Sequence, residues 1–418
     1  MRSGLALALL VVALFTIGVV MVNSASLELR LDPSLAMDVE PDGTATGFSV
    51  TFERVLLGKY IKLALVAMAA LALAAFLPVE RIRKGRGVAS PIPWIAIMVV
   101  GALLLTFVPG IGVTQNGAAR WVKLGPIGFQ PSEIAKWCMP LLIAWYVCRQ
   151  NVDVRRFGTG LLPPLVFAAV VCGLVAIEDL GTGVLIMLVV LGVLLAAGVR
   201  VWQVACLVPL GGLAFAGLVL AEPYRVRRIV SFWEPYADPG DSGYHLVQSL
   251  SAIAGGGPMG RGLGHSLQKF GYLPEINSDF IFALICEELG IFGAALVVSI
   301  FMGILLFGLS IVLGRSVPNA EIKSTDTPLV PRFSQLVGLG VLLTFGLQAF
   351  INIAVVSGWA PTKGIALPLV SHGGTGWILT SAALGLVVSI DRSAWRRARE
   401  RTESTEEKSA VSATPVVA

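Results

Sequence analysis

Acidic side chains at the edges of apolar segments are the clearest candidates for chemistry in this sequence. Asp279 ends a long polar segment and directly precedes an apolar run that contains Glu287 and Glu288. A carboxylate at such a boundary loses hydration, which raises its pKa and makes it a better proton acceptor. The position also suits an N-cap, whose carboxylate accepts hydrogen bonds from the first amides of the next helix. Both roles of Asp279, a general base and a helix cap, fit its place in the sequence.

A second polar group opens another apolar run. Pro131 favours the first turn of a helix, and Glu133 and Lys136 are three residues apart, on one face of that helix. Charged residues at membrane depth are costly and therefore mark candidate functional sites. The pair could be an internal ion pair that fixes helix packing, or a charge relay or substrate contact that lines a cavity. Both interpretations fit the spacing.

Asp179 stands in a tight turn between two further apolar runs. Its carboxylate could cap the next helix or contact a substrate, and the two roles are compatible. The polar segment 221–278 is longer than an ordinary connection, which suggests a function. This segment contains five more candidates: Arg225, Arg227, Arg228, Gln248 and Glu275. Its glycine-rich part, 255–264, lacks the Gly-Lys-Ser/Thr ending of a nucleotide-binding loop, so we predict no nucleotide site.

Prolines and glycines interrupt the chain before the last apolar run, within 361–375. Irregular backbone is tolerated at membrane depth only inside protein or around a cavity, so Lys363 and Ser371 join the candidates. The three histidines lack the spacing of metal ligands, and the five cysteines include no CxxC pair. We therefore predict no zinc site and no disulfide framework, and we interpret the cysteines as packing residues.

These candidates are spread over a strongly apolar chain. Of its 418 residues, 56% are hydrophobic and 14% are charged, and the mean hydropathy is +0.81, whereas soluble domains are about one quarter charged. Ten runs are long enough to cross a bilayer, and they lack the alternation of barrel strands. The predicted fold class is all-α, a polytopic integral membrane protein of about ten transmembrane helices. The runs are 4–22, 60–77, 93–108, 131–148, 161–177, 182–199, 203–220, 280–313, 334–356 and 370–390.

The distribution of charge predicts orientation and domain limits. Lysine and arginine concentrate in loops and a tail on one side of the predicted bundle, as in 81–86 and 392–401. The positive-inside rule then places both termini in the cytoplasm and the 221–278 loop outside. We interpret 1–391 as one membrane domain with an uncleaved first helix, and 392–418 as a basic, then disordered tail. The net charge of +5 lies in short loops rather than on a basic stripe, so we expect no nucleic-acid partner.

Several motifs together resemble one known family, the SEDS proteins (shape, elongation, division and sporulation), whose members include FtsW, RodA and SpoVE. The motifs that carry this resemblance are Arg120-Trp121, 130–136, Asp179-Leu180-Gly181-Thr182, 243–248, 273–288 and 361–374. The stretches 221–228, 268–275 and 361–364 are more similar to the division branch than to the elongation branch. Two positions depart from the family pattern: Ile177-Glu178 stands where Gln-Pro is usual, and His372 stands where tyrosine is usual.

The resemblance implies a peptidoglycan glycosyltransferase that polymerises lipid II, an undecaprenyl-pyrophosphate disaccharide-pentapeptide, at the bacterial cytoplasmic (inner) membrane, at the division septum. It implies as partners a class B penicillin-binding protein, which is a transpeptidase, and other divisome proteins. By motif, Asp279 matches the aspartate regarded as the general base. The other polar positions of the implied substrate cavity are Glu133, Lys136, Asp179, Glu275, Gln248 and Ser371. The cations available for the pyrophosphate on the outer side are Arg225, Arg227, Arg228 and Lys363.

The implied reaction is a single displacement at the anomeric carbon, which inverts its configuration. The departing pyrophosphate needs positive charge, and a divalent cation, Mg²⁺ or Mn²⁺, could share that task with the protein. Other function classes use the same features: a transporter that flips lipid II through a glycine-broken helix bundle, or a non-catalytic division scaffold. Within the family, an elongation enzyme of the RodA type is the alternative. The long outer segment that ends in a boundary aspartate favours an extracytoplasmic enzyme over a transporter.

Overall fold

A computed structural model describes residues 2–26, 59–83, 90–115, 118–125, 127–150, 152–237, 240, 243–316 and 333–412. The helices of the first half are α1 (Ser3–Ser26), α2 (Lys59–Phe76), α3 (Val79–Ile82), α4 (Pro91–Leu105), α5 (Pro131–Val147), α6 (Leu162–Glu178) and α7 (Leu180–Ala196). Those of the second half are α8 (Val201–Ala205), α9 (Leu207–Leu220), α10 (Pro223–Trp233), α11 (Tyr244–Gly256), α12 (Ile281–Val312), α13 (Phe333–Val356) and α14 (Gly374–Ser412). A π-helical turn, Phe157–Leu161, precedes α6.

Each of the ten apolar runs is helical, which confirms a polytopic α-helical membrane protein. In the described ranges, seven helical segments are long and apolar enough to cross a membrane, with α8 and α9 together forming one of them. Helices α4 and α7 are apolar but shorter. Helix α5 has 17 residues and carries the charged pair Glu133 and Lys136 in its first two turns.

Helix α13 lies at the centre of the bundle. It packs against α5, α7, α12 and α14, and α5 and α7 also pack against each other. Helix α1 packs along α12, and α2 packs along α14. The ends of these helices carry the polar candidates, so the tightly packed centre of the fold positions them.

Helix α12 is broken at Gly290, where φ is 67° and ψ is −165°. This break leaves backbone groups without helical partners, and the glycine-rich segment pairs with them. The bonds are Arg261 N to Glu287 O (2.9 Å), Gly262 N to Glu288 O (2.9 Å), Ile291 N to Gly257 O (3.1 Å) and Phe292 N to Pro258 O (3.4 Å). A Cβ on Gly256 would lie 1.9 Å from the Cys286 carbonyl oxygen. The glycines are therefore needed for close backbone approach.

A three-stranded antiparallel sheet connects α4 to α5, a feature that the all-α prediction missed. Its strands are β1 (Gly112–Gln115), β2 (Ala118–Leu124) and β3 (Ile127–Phe129), in the order β1-β2-β3. Val122 pairs with Gly112 on one side and with Phe129 on the other. Strands this short show too few alternations to be distinguished from a loop. The sheet matters here because β2 carries Arg120.

Two segments are more helical than their composition predicts. The loop 221–278 contains α10 and α11. Helix α14 continues to Ser412, although we predicted disorder after about residue 403; residues 413–418 lie outside the described ranges. The ion pair between Arg399 Nε and Glu403 Oε1, at 2.9 Å, is an i,i+4 pair of the kind that supports an exposed helix.

Candidate functional site

Asp279 lies at the start of α12, where the 221–278 loop meets the bundle. The N-cap of α12 is Phe280, and no side chain caps that helix, so the capping role of Asp279 is not observed. The carboxylate faces the backbone of Gly364 instead. A Cβ built on Gly364 would lie 3.1 Å from Asp279 Oδ2 and 3.6 Å from Arg120 Nη1. The carboxylate and the guanidinium therefore converge on the same glycine.

The environment of Asp279 favours a group that exchanges a proton near neutral pH. Burial is the main cause that raises its pKa to about 7, with smaller contributions from the negative charges of Glu275 and Asp179. Arg120 and Arg228 act in the opposite direction and lower the pKa. Three carboxylates and two guanidinium groups thus interact electrostatically at the end of the bundle where α12 begins. A base with such a pKa is half deprotonated at about pH 7, where general base catalysis is most efficient.

Asp179 both caps a helix and faces the site, as the sequence allowed. Its Oδ1 accepts a hydrogen bond from Thr182 N at 3.1 Å, and its Oδ2 accepts one from the Thr182 hydroxyl at 2.8 Å. A Cβ on Gly181 would lie 3.2 Å from Lys363 Cδ and 3.4 Å from Asp179 Oδ1, so the lysine passes close to the cap. Burial is the main cause that lowers the pKa of Lys363, and the Asp179 charge opposes it.

The three arginines of α10 face different ways. Arg225 donates to the carbonyl oxygens of Ala176 (3.1 Å) and Ile177 (2.9 Å), at the end of α6. Arg228 donates to Thr362 O at 3.3 Å, beside the loop that carries Lys363. Arg227 is exposed on another face of α10. The structure brings Arg225 and Arg228 to the site and leaves Arg227 outside it.

Glu133 and Lys136 form an ion pair inside the bundle, one of the two roles that their spacing allowed. Lys136 Nζ lies 2.6 Å from Glu133 Oε1, with 2% of the lysine side chain and 19% of the glutamate side chain exposed. Lys136 Nζ also donates to Gln348 Oε1 of α13 at 2.7 Å. The pair is therefore part of a buried polar network, and its glutamate is the more accessible member.

The remaining predicted residues, Ser371, Glu275 and Gln248, have different surroundings. The Ser371 hydroxyl donates to Ser278 O at 2.5 Å and accepts from Leu367 N at 2.7 Å, so it holds two loops together. Glu275 is exposed, with a left-handed φ of 58°. Its carboxylate accepts a hydrogen bond from the Ser278 hydroxyl at 2.8 Å. Gln248 is half-buried on α11.

The donor set around Asp279 does not fit a resident metal ion. Across the described ranges, no three histidine, cysteine, aspartate or glutamate side chains come together as metal ligands do. The carboxylates near Asp279 are instead interleaved with arginine and lysine. This arrangement suits a negatively charged group of a substrate better than a bound cation.

Some residues of the site were missed as individual candidates. Arg120 was recognised only within a motif, although its Nε donates to Glu178 O at 2.9 Å and it faces Asp279. Gln348 and Asn352 are amides four residues apart in a largely apolar helix, a signal that could have been used. His372 packs edge-to-face on Tyr60 at 5.1 Å between ring centroids. Burial is the main cause that lowers its pKa.

Comparison with known proteins agrees with this architecture. The family model described as a cell cycle protein, of the FtsW, RodA and SpoVE type, matches residues 5–395. The chain belongs to this family. The match covers nearly all of the bundle, including every candidate residue of the site.

Curated relatives in the family are about as long as this chain. A probable peptidoglycan glycosyltransferase FtsW of Alkalilimnicola ehrlichii is 37% identical over 390 residues, which cover 92% of this chain and 88% of the relative. The protein of the same name from Nitrosococcus halophilus is 40% identical over 299 residues, 72% of this chain and 74% of the relative.

Solved structures of the family have the same fold. A chain from a study of how a peptidoglycan synthase complex coordinates polymerization and crosslinking has a TM-score of 0.66 and 25% identity, with 93% of this chain and 97% of that chain covered. The rod shape determining protein RodA of Thermus thermophilus has a TM-score of 0.56 and 23% identity, with 93% and 96% covered. The second similarity concerns the fold alone.

Proposed function

We propose that this protein is a peptidoglycan glycosyltransferase of the FtsW type, which polymerises lipid II into glycan strands. The observation that carries this proposal is the half-buried Asp279 carboxylate, with a pKa of about 7, facing Gly364 beside Arg120 at the outer end of the bundle. The family membership and the names of the curated relatives support the same activity.

In the proposed reaction, Asp279 removes the proton from the 4-hydroxyl of the acceptor sugar. The acceptor oxygen forms a bond to the anomeric carbon of the donor, and the bond from that carbon to the pyrophosphate breaks. The pyrophosphate leaves with the bonding electrons. Because one displacement occurs, an α-linked donor gives a β-linked glycan.

The charge of the departing pyrophosphate needs cations, and the site provides them. Lys363 and Arg228 lie near one another, and each is close to a carboxylate of the Asp279 cluster. Positioned cations stabilise the charge that develops on a leaving group. We assign Lys363 and Arg228 to the pyrophosphate, Arg225 to holding α10 against α6, and Glu133 with Lys136 to the buried wall of the cavity. A divalent cation that accompanies the pyrophosphate could share this charge.

The proposed place of action is the outer face of the cytoplasmic membrane at the septum, with both termini in the cytoplasm. The proposed partners are lipid II, a class B penicillin-binding protein that crosslinks the new strands, and other divisome proteins. Orientation is testable with an impermeant thiol reagent. Gly240→Cys should react from outside, and Gly85→Cys should react only after permeabilisation. The reverse pattern would contradict the orientation.

Polymerisation in detergent distinguishes an enzyme from a transporter. Purified protein is incubated with labelled lipid II, alone and with its class B penicillin-binding protein, and the products are separated by size. We expect glycan polymer, because an enzyme needs no membrane to cross. If no polymer forms under either condition while the protein moves lipid II across proteoliposomes, a flippase replaces this proposal.

A further inference from the structure

Helix α13 carries two buried amides on the face that it presents to the site. Gln348 and Asn352 are one turn apart, and 4% and 1% of their surfaces are exposed. Residues four apart on a helix share a face. Polar side chains are rare inside membrane helices unless their hydrogen bonds are needed. The contacts of these two amides indicate what they are needed for.

Asn352 joins two segments that meet at Asp279. Its Nδ2 donates to the backbone carbonyl oxygen of Asp279 at 2.8 Å and to that of Ile365 at 2.7 Å. Ile365 follows Gly364, against which the Asp279 carboxylate lies. One amide group therefore holds both the residue that carries the carboxylate and the backbone that the carboxylate faces.

Gln348 anchors the same segment one turn earlier. Its Nε2 donates to Ala366 O at 2.7 Å, and its Oε1 accepts from Lys136 Nζ at 2.7 Å. Consecutive carbonyl groups, those of Ile365 and Ala366, are thus bound to one face of α13. This anchoring limits the freedom of the 364–366 segment to move relative to Asp279.

We infer that Asn352 is a positioning residue for Asp279, with its amide fixing the carboxylate against Gly364. The inference rests on the proposed function, in which Asp279 is the general base. Asn352 does not act on the substrate itself. Its effect is on the orientation of the base, and an error of about 1 Å in the placement of a reacting group can lower a rate by about 100-fold.

The test compares Asn352→Ala with Asn352→Gln in the lipid II polymerisation assay. Asn352→Ala removes both donors, and we expect kcat to fall by about 10–100-fold with KM within about twofold. Asn352→Gln keeps the amide on a side chain one methylene longer, and we expect it to retain more activity than Asn352→Ala.

Thr344→Val is the matched control, because Thr344 is buried on the same face of α13, two turns from Asn352, and bonds to Gly340 O of its own helix at 2.8 Å. It removes a buried hydrogen bond within α13 itself and should leave kcat near the wild-type value. Equal loss of kcat in Thr344→Val and Asn352→Ala would overturn the inference, as would wild-type kcat in Asn352→Ala. If Asn352→Ala cannot be purified, Asn352→Leu, which has a similar volume and also removes both donors, decides by the same comparison.

Asp279→Asn is measured in parallel, to separate the general-base role of Asp279 from the positioning role of Asn352. If Asp279→Asn polymerises lipid II normally, the general-base assignment has failed. If Asp279→Asn is inactive and Asn352→Ala is fully active, only the positioning role has failed.

Discussion

The buried pair of Glu133 and Lys136 leads to a prediction about protein stability, in which removing the glutamate and removing the lysine have different effects. We consider three variants, in which leucine replaces the glutamate, the lysine or both. Breaking a buried ion pair by removing one partner leaves an uncompensated charge, which destabilises a protein by about 3–5 kcal/mol. Replacing both partners by apolar residues is often much less destabilising, since no charge is left.

The geometry predicts that the two single variants lose different amounts of stability. Lys136 is 2% exposed, so in Glu133→Leu its ammonium stays buried and keeps its hydrogen bond to Gln348 Oε1. We expect Glu133→Leu to lower the free energy of unfolding by an amount near the upper end of the range of about 3–5 kcal/mol. Glu133 is 19% exposed, and in Lys136→Leu its carboxylate can regain water. That variant should be less destabilised, and the double variant should be more stable than Glu133→Leu.

The measurement is thermal unfolding of the purified variants in one detergent, with lipid II polymerisation measured on the same samples. The expected order of Tm is wild type, then the double variant and Lys136→Leu, then Glu133→Leu. If each single variant keeps the wild-type Tm and loses polymerisation, the pair is not a structural ion pair. It would then be a direct contact to the substrate or a proton relay.

Two more predictions concern pH and the glycine-rich segment. If Asp279 is the general base with a pKa of about 7, as proposed, kcat/KM should rise with pH across that value. Glu275→Gln removes a negative charge that raises this pKa, so the rising limb of the pH profile should move to lower pH. An unmoved limb would contradict the assignment. Gly256→Ala should destabilise the protein by about 1–3 kcal/mol or more, because the added Cβ would meet the Cys286 carbonyl oxygen. Gly217→Ala is the control: its Cβ would enter open space beside α9, so this variant should unfold at or above the wild-type Tm.

The helices could be predicted from the sequence, because only a helix satisfies its own backbone groups in lipid. The sheet of β1, β2 and β3 could not, since its pairing depends on contacts between short segments. The break at Gly290 was also missed. A single glycine in an apolar run does not reveal whether another loop supplies partners for the freed backbone groups.

The candidate site was predictable where it is local and not where it is assembled from distant segments. Glu133 with Lys136, and Asp179 with Thr182, lie three residues apart, so helical geometry alone places them together. The approach of Asp279 to Gly364 and Arg120 joins segments that are far apart in sequence. The resemblance to a family identified Asp279, but only the structure places its partners.

The most direct test of the general-base role is the rate of lipid II polymerisation by Asp279→Asn. The substitution keeps the size of the side chain and removes its ability to accept the acceptor proton. General base catalysis contributes about 10²–10⁴-fold, so we expect the rate to fall by that factor while the protein folds and binds lipid II. Asp153→Asn is a suitable control, because Asp153 is exposed, and its carboxylate contacts the exposed Arg156 at 3.1 Å and the neighbouring Arg155 N at 3.1 Å. Polymerisation by Asp279→Asn at a rate close to that of Asp153→Asn would contradict the assignment of Asp279 as the base.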